Sequence, residues 1–401
     1  MNGPTQELSA PMRPTHMPAL DGVRGVAVLV VMILHFTILN PVTGAEQLFS
    51  LGASFGWVGV DLFFVLSGFL ITGILIDAKS GDAYFRTFYM RRALRIFPLY
   101  YAFLIFIFWI WPLLSPSTPE PLGPRLWTLG YMSNFLFAFN GWEGVPGHTT
   151  HLWSLAIEEQ FYFIWPLVVF LADRRTLVKI CLWAIALAWF TRLGLHLGLG
   201  HGVAGYALLP ARMDALALGG LLSVMVRSPG WVEKLQANLP RMAWGGLALL
   251  VVTCGLTPIL APGDGLLPPL QLHVQLLGYP AVDLLSLALV GYAILPGVNQ
   301  GSLLMNSTLR KLGKYSYALY LLHIPLRNVL IDRVFPGGDL PVLLGSQIPA
   351  QLLLIVGSIL VTYAVALLSW NLFERHFLTL KRHFEYRKPE PPTPAGLQQA
   401  A

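Results

Sequence analysis

Ten stretches of this chain are apolar for long enough to cross a hydrocarbon core of about 30 Å, and nothing else in it restricts the fold so tightly. They lie near residues 21–40, 57–77, 97–114, 154–172, 177–197, 206–226, 242–261, 279–296, 314–333 and 350–373. Hydrophobic residues make up 55% of the chain and charged ones 11%, too few charges to clothe a soluble globule of 401 residues. The expected fold is all-α, a polytopic membrane helix bundle of about ten transmembrane helices.

The basic residues test that count. With the N-terminus inside, 21 of the 26 Lys and Arg fall on the inner side, and only Arg125, Arg192, Arg212, Arg327 and Arg333 fall outside. The positive-inside rule requires such a bias, and a missed span would scramble it. Both termini are therefore expected in the cytoplasm, most simply at a bacterial inner membrane. The formal charge of +6 is spread over inner loops and a short tail, so it calls for no nucleic-acid partner. Residues 1–17 lack the basic start and cleavage site of a signal peptide, so the first span is retained. Cys181 and Cys254 both sit in apolar segments and give no metal spacing and no disulfide framework. No loop reaches the size of a soluble domain. The longest, 115–153, carries an apolar stretch from Trp127 to Phe139 that reads as a re-entrant or interfacial helix. The organisation expected is a short N-terminal segment (1–17), one membrane domain (18–380) and a basic, Pro-rich tail (381–401).

Four segments carry polar groups where lipid-facing residues would be apolar. In the first span, Arg24 and His35 are eleven residues apart, nearly on one helix face and about 16 Å apart along the axis. Arg24 can anchor a helix end, but an ionisable ring inside a span is by default a functional residue. In the fourth span His151, Ser154, Glu158 and Tyr162 share a face, while Glu159 points about 100° away. In the second span Asp61 lies at a depth similar to His35 and can pair with it, with Arg212 or with another outer group. Gly59, Gly68 and Gly73 in the same span allow close helix contact. At the inner end of the third span stand Arg91, Arg92 and Arg95, whose guanidinium forks suit phosphate. Arg212, Asp214 and His323 read as bundle-interior groups with no chemistry assignable from spacing.

The vertical order of these groups suits a transferase. The arginines lie at the cytoplasmic face, whereas His35, Asp61, Ser154, Glu158 and Arg212 fall in the outer half. A long phosphorylated donor could bind from inside and present its reactive end to an acceptor outside. A neutral imidazole can deprotonate a hydroxyl, and a carboxylate can hold its tautomer.

At these residues the chain resembles the acyltransferase-3 family of integral membrane acyltransferases. The likeness runs through Leu20-Asp-Gly-Val-Arg-Gly-Val-Ala27 with His35, then Gly59-Val-Asp-Leu-Phe-Phe-Val-Leu-Ser-Gly-Phe-Leu-Ile-Thr72 and Arg92-Ala-Leu-Arg95. It continues through Leu152-Trp-Ser-Leu-Ala-Ile-Glu-Glu-Gln-Phe-Tyr162, Pro210-Ala-Arg-Met-Asp-Ala-Leu-Ala-Leu-Gly219 and Leu312-Gly-Lys-Tyr-Ser-Tyr-Ala-Leu-Tyr-Leu-Leu-His-Ile-Pro325. The resemblance implies a ten-helix core that moves an acyl group, usually acetyl from acetyl-CoA, onto a hydroxyl of a carbohydrate or related acceptor. It implies that His35 is catalytic, that Arg24 and Glu158 or Glu159 support it, and that Arg92 and Arg95 serve the donor. Phe373-Glu-Arg-His376 departs from the family pattern in lacking a proline two residues after Glu374.

The expected reaction is O-acyl transfer without a metal. Donor phosphates lie near Arg91, Arg92 and Arg95, His35 is general base, and Glu158 or Glu159 orients the imidazole. A route through an acyl-enzyme on Ser154 or His35 stays open, and a direct chemical role for Asp61 is a further possibility. The competing class is a transporter or exporter of a lipid-linked saccharide or small molecule, whose ionisable groups would line a path. Acceptor, acyl chain length and oligomeric state are not legible.

Overall fold

The computed structural model describes residues 17–115, 121–141, 145–200, 202–297, 302–335 and 339–386. The expected N-terminal segment before Met17 and the tail beyond Tyr386 lie outside the described residues. Seventeen α-helices and no β-strand occur among them. In chain order they are α1 (Pro18–Phe36), α2 (Gly44–Ser54), α3 (Val58–Ala78), α4 (Tyr84–Ile105), α5 (Trp111–Leu114) and α6 (Leu122–Leu129). Then come α7 (Ser133–Asn140), α8 (Leu152–Leu171), α9 (Arg174–Leu199), α10 (Val203–Ala207), α11 (Leu209–Met225) and α12 (Trp231–Leu260). The last are α13 (Tyr279–Ile294), α14 (Ser307–Lys314), α15 (Ser316–Val334), α16 (Ile348–Ser369) and α17 (Arg375–Thr379).

Nine continuous helical stretches among the described residues are long and apolar enough to cross a membrane. The remaining expected span, the ninth (314–333), is α15, a helix of 19 residues whose Arg327, Asp332 and Arg333 keep it less apolar than the rest. Several spans run longer than hydropathy alone suggests. The third is continuous from Tyr84 to Leu114, 31 residues, and so about 46 Å long against a core of about 30 Å. Its π turn at Phe106–Ile110 ends two residues before Pro112, whose ring and missing N–H disturb the α ladder there. The stretch from Trp127 to Phe139 is a pair of short helices, α6 and α7. Phe137 and Ala138 of α7 are fully buried, and α7 packs on α8 and α10.

The first helix is the centre of the bundle. Ala19, Val23, Ala27, Val28, Met32 and Phe36 of α1 are fully buried, and the helix touches α3, α13, α14, α15 and α16. Glycine makes those contacts possible. A Cβ on Gly22 or Gly25 would lie 2.0 Å from the carbonyl oxygens of Leu304 and Leu309, and one on Gly59 would lie 2.5 Å from Ala27 O. Gly68 and Gly219 bring α3 and α11 together in the same way, at 1.9 Å from Leu216 O and 2.0 Å from Val65 O. Such small-residue contacts are how membrane helices gain packing without a hydrophobic driving force. The C-terminus of α1 is tied to α16 by Gln351, which accepts from the amides of Ile38 and Leu39 and donates to Phe36 O. On the periphery, α9, α12 and α16 present Trp183, Phe190, Trp244, Ile259 and Leu353 outward, as lipid contact requires.

A methyl group at Gly68 would force α3 and α11 apart. Gly68→Ala should lower stability by about 1–3 kcal/mol. Gly245→Ala, in open space on α12, should be neutral or slightly stabilising. Thermal unfolding of the detergent-solubilised protein, followed by size-exclusion recovery, checks both.

Candidate active site

The helix contacts leave a cavity of about 1350 Å³ between α3, α4, α8 and α15. One end is basic, lined by Arg91, Arg92, Arg95, Arg174 and Lys381. The walls are largely apolar, with Phe63, Leu70, Ile71, Ile74, Phe88 and Ile96. Ser154 and Tyr320 line the far end. Along α8 the cavity follows one face, Ser154 to Glu158 to Tyr162, a rise of about 12 Å.

The polar groups on that face are paired across helices. Glu158 accepts from Ser67 Oγ of α3, and Ser67 also meets the Tyr162 hydroxyl at 2.8 Å. Arg92 stacks its guanidinium over the Tyr162 ring, 4.0 Å from the centroid. Arg24 lines the cavity and donates to Asp21 at 2.9 Å. Glu159 does not line the cavity. It points to the other side of α8, where its buried Oε1 has no hydrogen-bond partner among the described residues. The adjacent carboxylates thus have different surroundings, as their 100° separation on the helix requires.

Beyond Ser154 and Tyr320 stand three histidines from three helical segments. His35 Nδ1 lies 3.0 Å from His323 Nε2, and their rings are 4.9 Å apart. His151 packs edge-on against His323 at 4.9 Å, and its Nε2 reaches Leu321 O at 3.1 Å. His323 Nδ1 lies 2.6 Å from Tyr320 O. A carbonyl only accepts, so Nδ1 of His323 carries the hydrogen. With that ring neutral its Nε2 accepts, so His35 donates from Nδ1 and keeps a lone pair on Nε2. Among the described residues no hydrogen bond joins His35 to Glu158 or Glu159. The expected carboxylate contact is replaced by an imidazole because Glu158 lies one turn further along α8 and is held by Ser67. Ser154 meets the Tyr320 hydroxyl at 2.5 Å and His151 O at 3.3 Å. Past His323 on α15, Arg327 donates to Asn328, which approaches His148 at 3.4 Å.

Asp61 belongs to a separate layer. It is bonded to Arg212 of α11, while Arg192 of α9 donates to Asp214 at 2.6 Å, and all four side chains are buried. Arg212 also stacks over Tyr279 at 4.2 Å, and Asp283 lies within electrostatic reach of both pairs. Of the partners open to Asp61, its ion pair is with Arg212, not His35. Among the described residues no cluster of His, Cys, Asp or Glu is suited to a metal ion.

Sequence reasoning missed Ser67 and Tyr320 and left His323 without a role. Tyr317, Tyr320 and His323 recur every three residues, a spacing that put all three on one face of α15. Ser67 carries no such signal, because only the crossing of α3 and α8 brings it to Glu158.

The family described as an acyltransferase domain matches residues 17–368. The peptidoglycan O-acetyltransferase OatA of Listeria monocytogenes is 36% identical over 191 residues, 44% of this chain and 29% of that protein. The O-acetyltransferase OatA of Staphylococcus aureus is 28% identical over 351 residues, 82% of this chain and 53% of its own length. The chain therefore spans about half, or less, of these curated relatives. No solved structure matches it.

Removing Asp61 strands a buried guanidinium. Asp61→Ala should cost about 3–5 kcal/mol and deplete the folded fraction, and adding Arg212→Leu should recover much of the loss. Unfolding midpoints of the two variants in detergent decide whether the pair is structural.

Proposed function

Because the chain belongs to the acyltransferase-3 family, we propose that it is a membrane O-acetyltransferase carrying acetyl from cytoplasmic acetyl-CoA to a hydroxyl of a cell-surface carbohydrate. The observation that carries this reading is the cavity that starts among arginines and ends at Ser154 and Tyr320, directly beneath the histidine cluster. Its shape suits a long thioester with a phosphorylated end. Arg91, Arg92 and Arg95 receive the phosphates. The pantetheine arm lies between apolar walls, past Glu158, and its thioester reaches the Ser154–Tyr320 end. Peptidoglycan is the acceptor named for the Listeria relative, and a glycan of that kind is the acceptor proposed here.

His35 is the general base in this scheme. Its Nε2 takes the proton of the acceptor hydroxyl, and the alkoxide attacks the thioester carbonyl. The C–S bond then breaks, and the thiolate of CoA takes up the proton from the imidazolium. His323 is the positioning residue, because accepting from Nδ1 of His35 holds the base in its productive tautomer and stabilises the cation that forms. Glu158, with Ser67, Tyr162 and Arg92, forms the polar belt through which the donor passes, and Arg24 adds a further cation to the same wall. The partners of Ser154 are a phenol and a carbonyl, not an imidazole nitrogen, which favours direct transfer over a seryl intermediate. With the arginine end in the cytoplasm, the basic loops obey the positive-inside rule, both termini are cytoplasmic and the histidines face the outer leaflet.

His35→Ala should leave the protein folded and inserted while lowering acetyl transfer by about 10²–10⁴-fold. Inverted vesicles given labelled acetyl-CoA and glycan acceptor provide the assay. Wild-type rates from that variant would remove His35 as base, and a wild-type protein that releases no free CoA thiol would favour a transporter instead.

A further inference from the structure

After α17 the chain does not leave the bundle. Residues 380–383 form a short 3₁₀ turn, and residues 384–386 after it lie beside the first turns of α4. Arg91 Nη1 holds this strap by two backbone carbonyls, Phe384 O at 2.8 Å and Lys381 O at 3.4 Å. The Arg86 guanidinium stands 5.6 Å from the Phe384 ring, and that of Arg91 stands 5.9 Å from the Tyr386 ring. Burial alternates along it: Lys381, Phe384 and Tyr386 are half-buried, whereas Arg382, His383 and Glu385 are exposed. Lys381 and Tyr386 both line the basic end of the cavity.

The strap therefore adds a cation and an aromatic ring to a wall that is already cationic. Among the described residues, none of Arg91, Arg92, Arg95 and Lys381 has a carboxylate within ion-pair distance, unlike Arg227, which pairs with Asp77 at 2.5 Å on the same cavity. Glu158 and Glu159 lie within electrostatic reach of Arg92, and Glu374 within reach of Arg95, but three guanidinium groups still crowd Lys381, and that excess of positive charge favours a polyanion there. A CoA thioester carries its diphosphate and 3′-phosphate beside an adenine ring, far from the thioester. We propose that the cavity-facing side of the strap, Lys381 and Tyr386, is part of the donor site, Lys381 binding a phosphate of the nucleotide end and Tyr386 stacking on the adenine. This rests on the acetyl-CoA reading above and adds residues from the end of the last helix to it. Arg91 has a double part, since the guanidinium that faces the ligand also fixes the strap.

The test compares acetyl-CoA with S-acetylpantetheine, which has the thioester and arm but no nucleotide, on the full chain in proteoliposomes. Lys381→Ala and Tyr386→Ala should each raise KM for acetyl-CoA about 5–20-fold with kcat retained, and leave KM for S-acetylpantetheine unmoved. Lys381→Arg should restore most of the affinity, and Arg382→Ala, on the exposed edge, should change neither constant. Unaltered KM for acetyl-CoA in both alanine variants overturns the strap's role and leaves the donor reading standing. A fall in kcat with KM unchanged also overturns it. Wild-type protein that shows no saturable use of acetyl-CoA overturns the donor reading itself, and the strap's ligand with it.

Discussion

Hydrocarbon offers no water to an unpaired polar group, and that constraint decides which helices of this bundle must touch. Some hydroxyls solve it locally: Thr253, Thr257 and Thr362 return to carbonyls four residues back on their own helices. The charged and ring groups cannot. Asp61 needs Arg212, Arg192 needs Asp214, Glu158 needs Ser67, and His35 needs His323. Each pair joins two different helices, so the polar groups also specify the helix neighbours. Glycines at the α1–α14, α1–α3 and α3–α11 crossings let the backbones come close enough for those pairings.

The result is a separation of tasks by depth. At one level the Asp61–Arg212 and Arg192–Asp214 pairs bind α3, α9 and α11 together, off to the side of the cavity. At the basic end, Arg91, Arg92, Arg95 and Lys381 line the cavity with no carboxylate within ion-pair distance among the described residues. At its other end the Ser154–Tyr320 hydroxyl pair stands between the cavity and the histidines. Tyr320 connects the two chemistries, since its hydroxyl meets Ser154, its ring lies 5.4 Å from that of His323, and its carbonyl sets the His323 tautomer. One helix turn thus relates the orientation of the histidine pair to the end of the cavity.

Much of this was legible in the chain before folding. His35 stood out because an ionisable ring in an apolar run has no solvent to justify it. The shared face of Ser154, Glu158 and Tyr162 followed from a spacing of four, and the same geometry separated Glu158 from Glu159. The arginine triplet was visible as a group at one end of a span. The partner of His35 was not, because His323 lies 288 residues away and looks the same in sequence whatever it faces. A carboxylate was the natural guess for that partner, and Glu158 had the right depth by count. It proved to be occupied by Ser67, a small hydroxyl that no pattern marks. The strap was hidden for a related reason, since a basic tail after the last span reads as a solvated or lipid-surface segment until its backbone carbonyls are found on Arg91.

What the sequence by itself determined was everything that depends on the chain's period and its solvent: the membrane-spanning helices, their apolar outer faces, the glycines that permit contact, and which side chains could not face lipid. Composition and a rise of about 1.5 Å per residue suffice for that, because both act locally. Only the tertiary structure decided which polar group met which, that an imidazole rather than a carboxylate stands behind His35, and that the last residues of the bundle close on the first turns of α4. Those outcomes rest on the crossing of helices distant in the chain, and the distance between two side chains on different helices is set by packing, not by their separation in sequence.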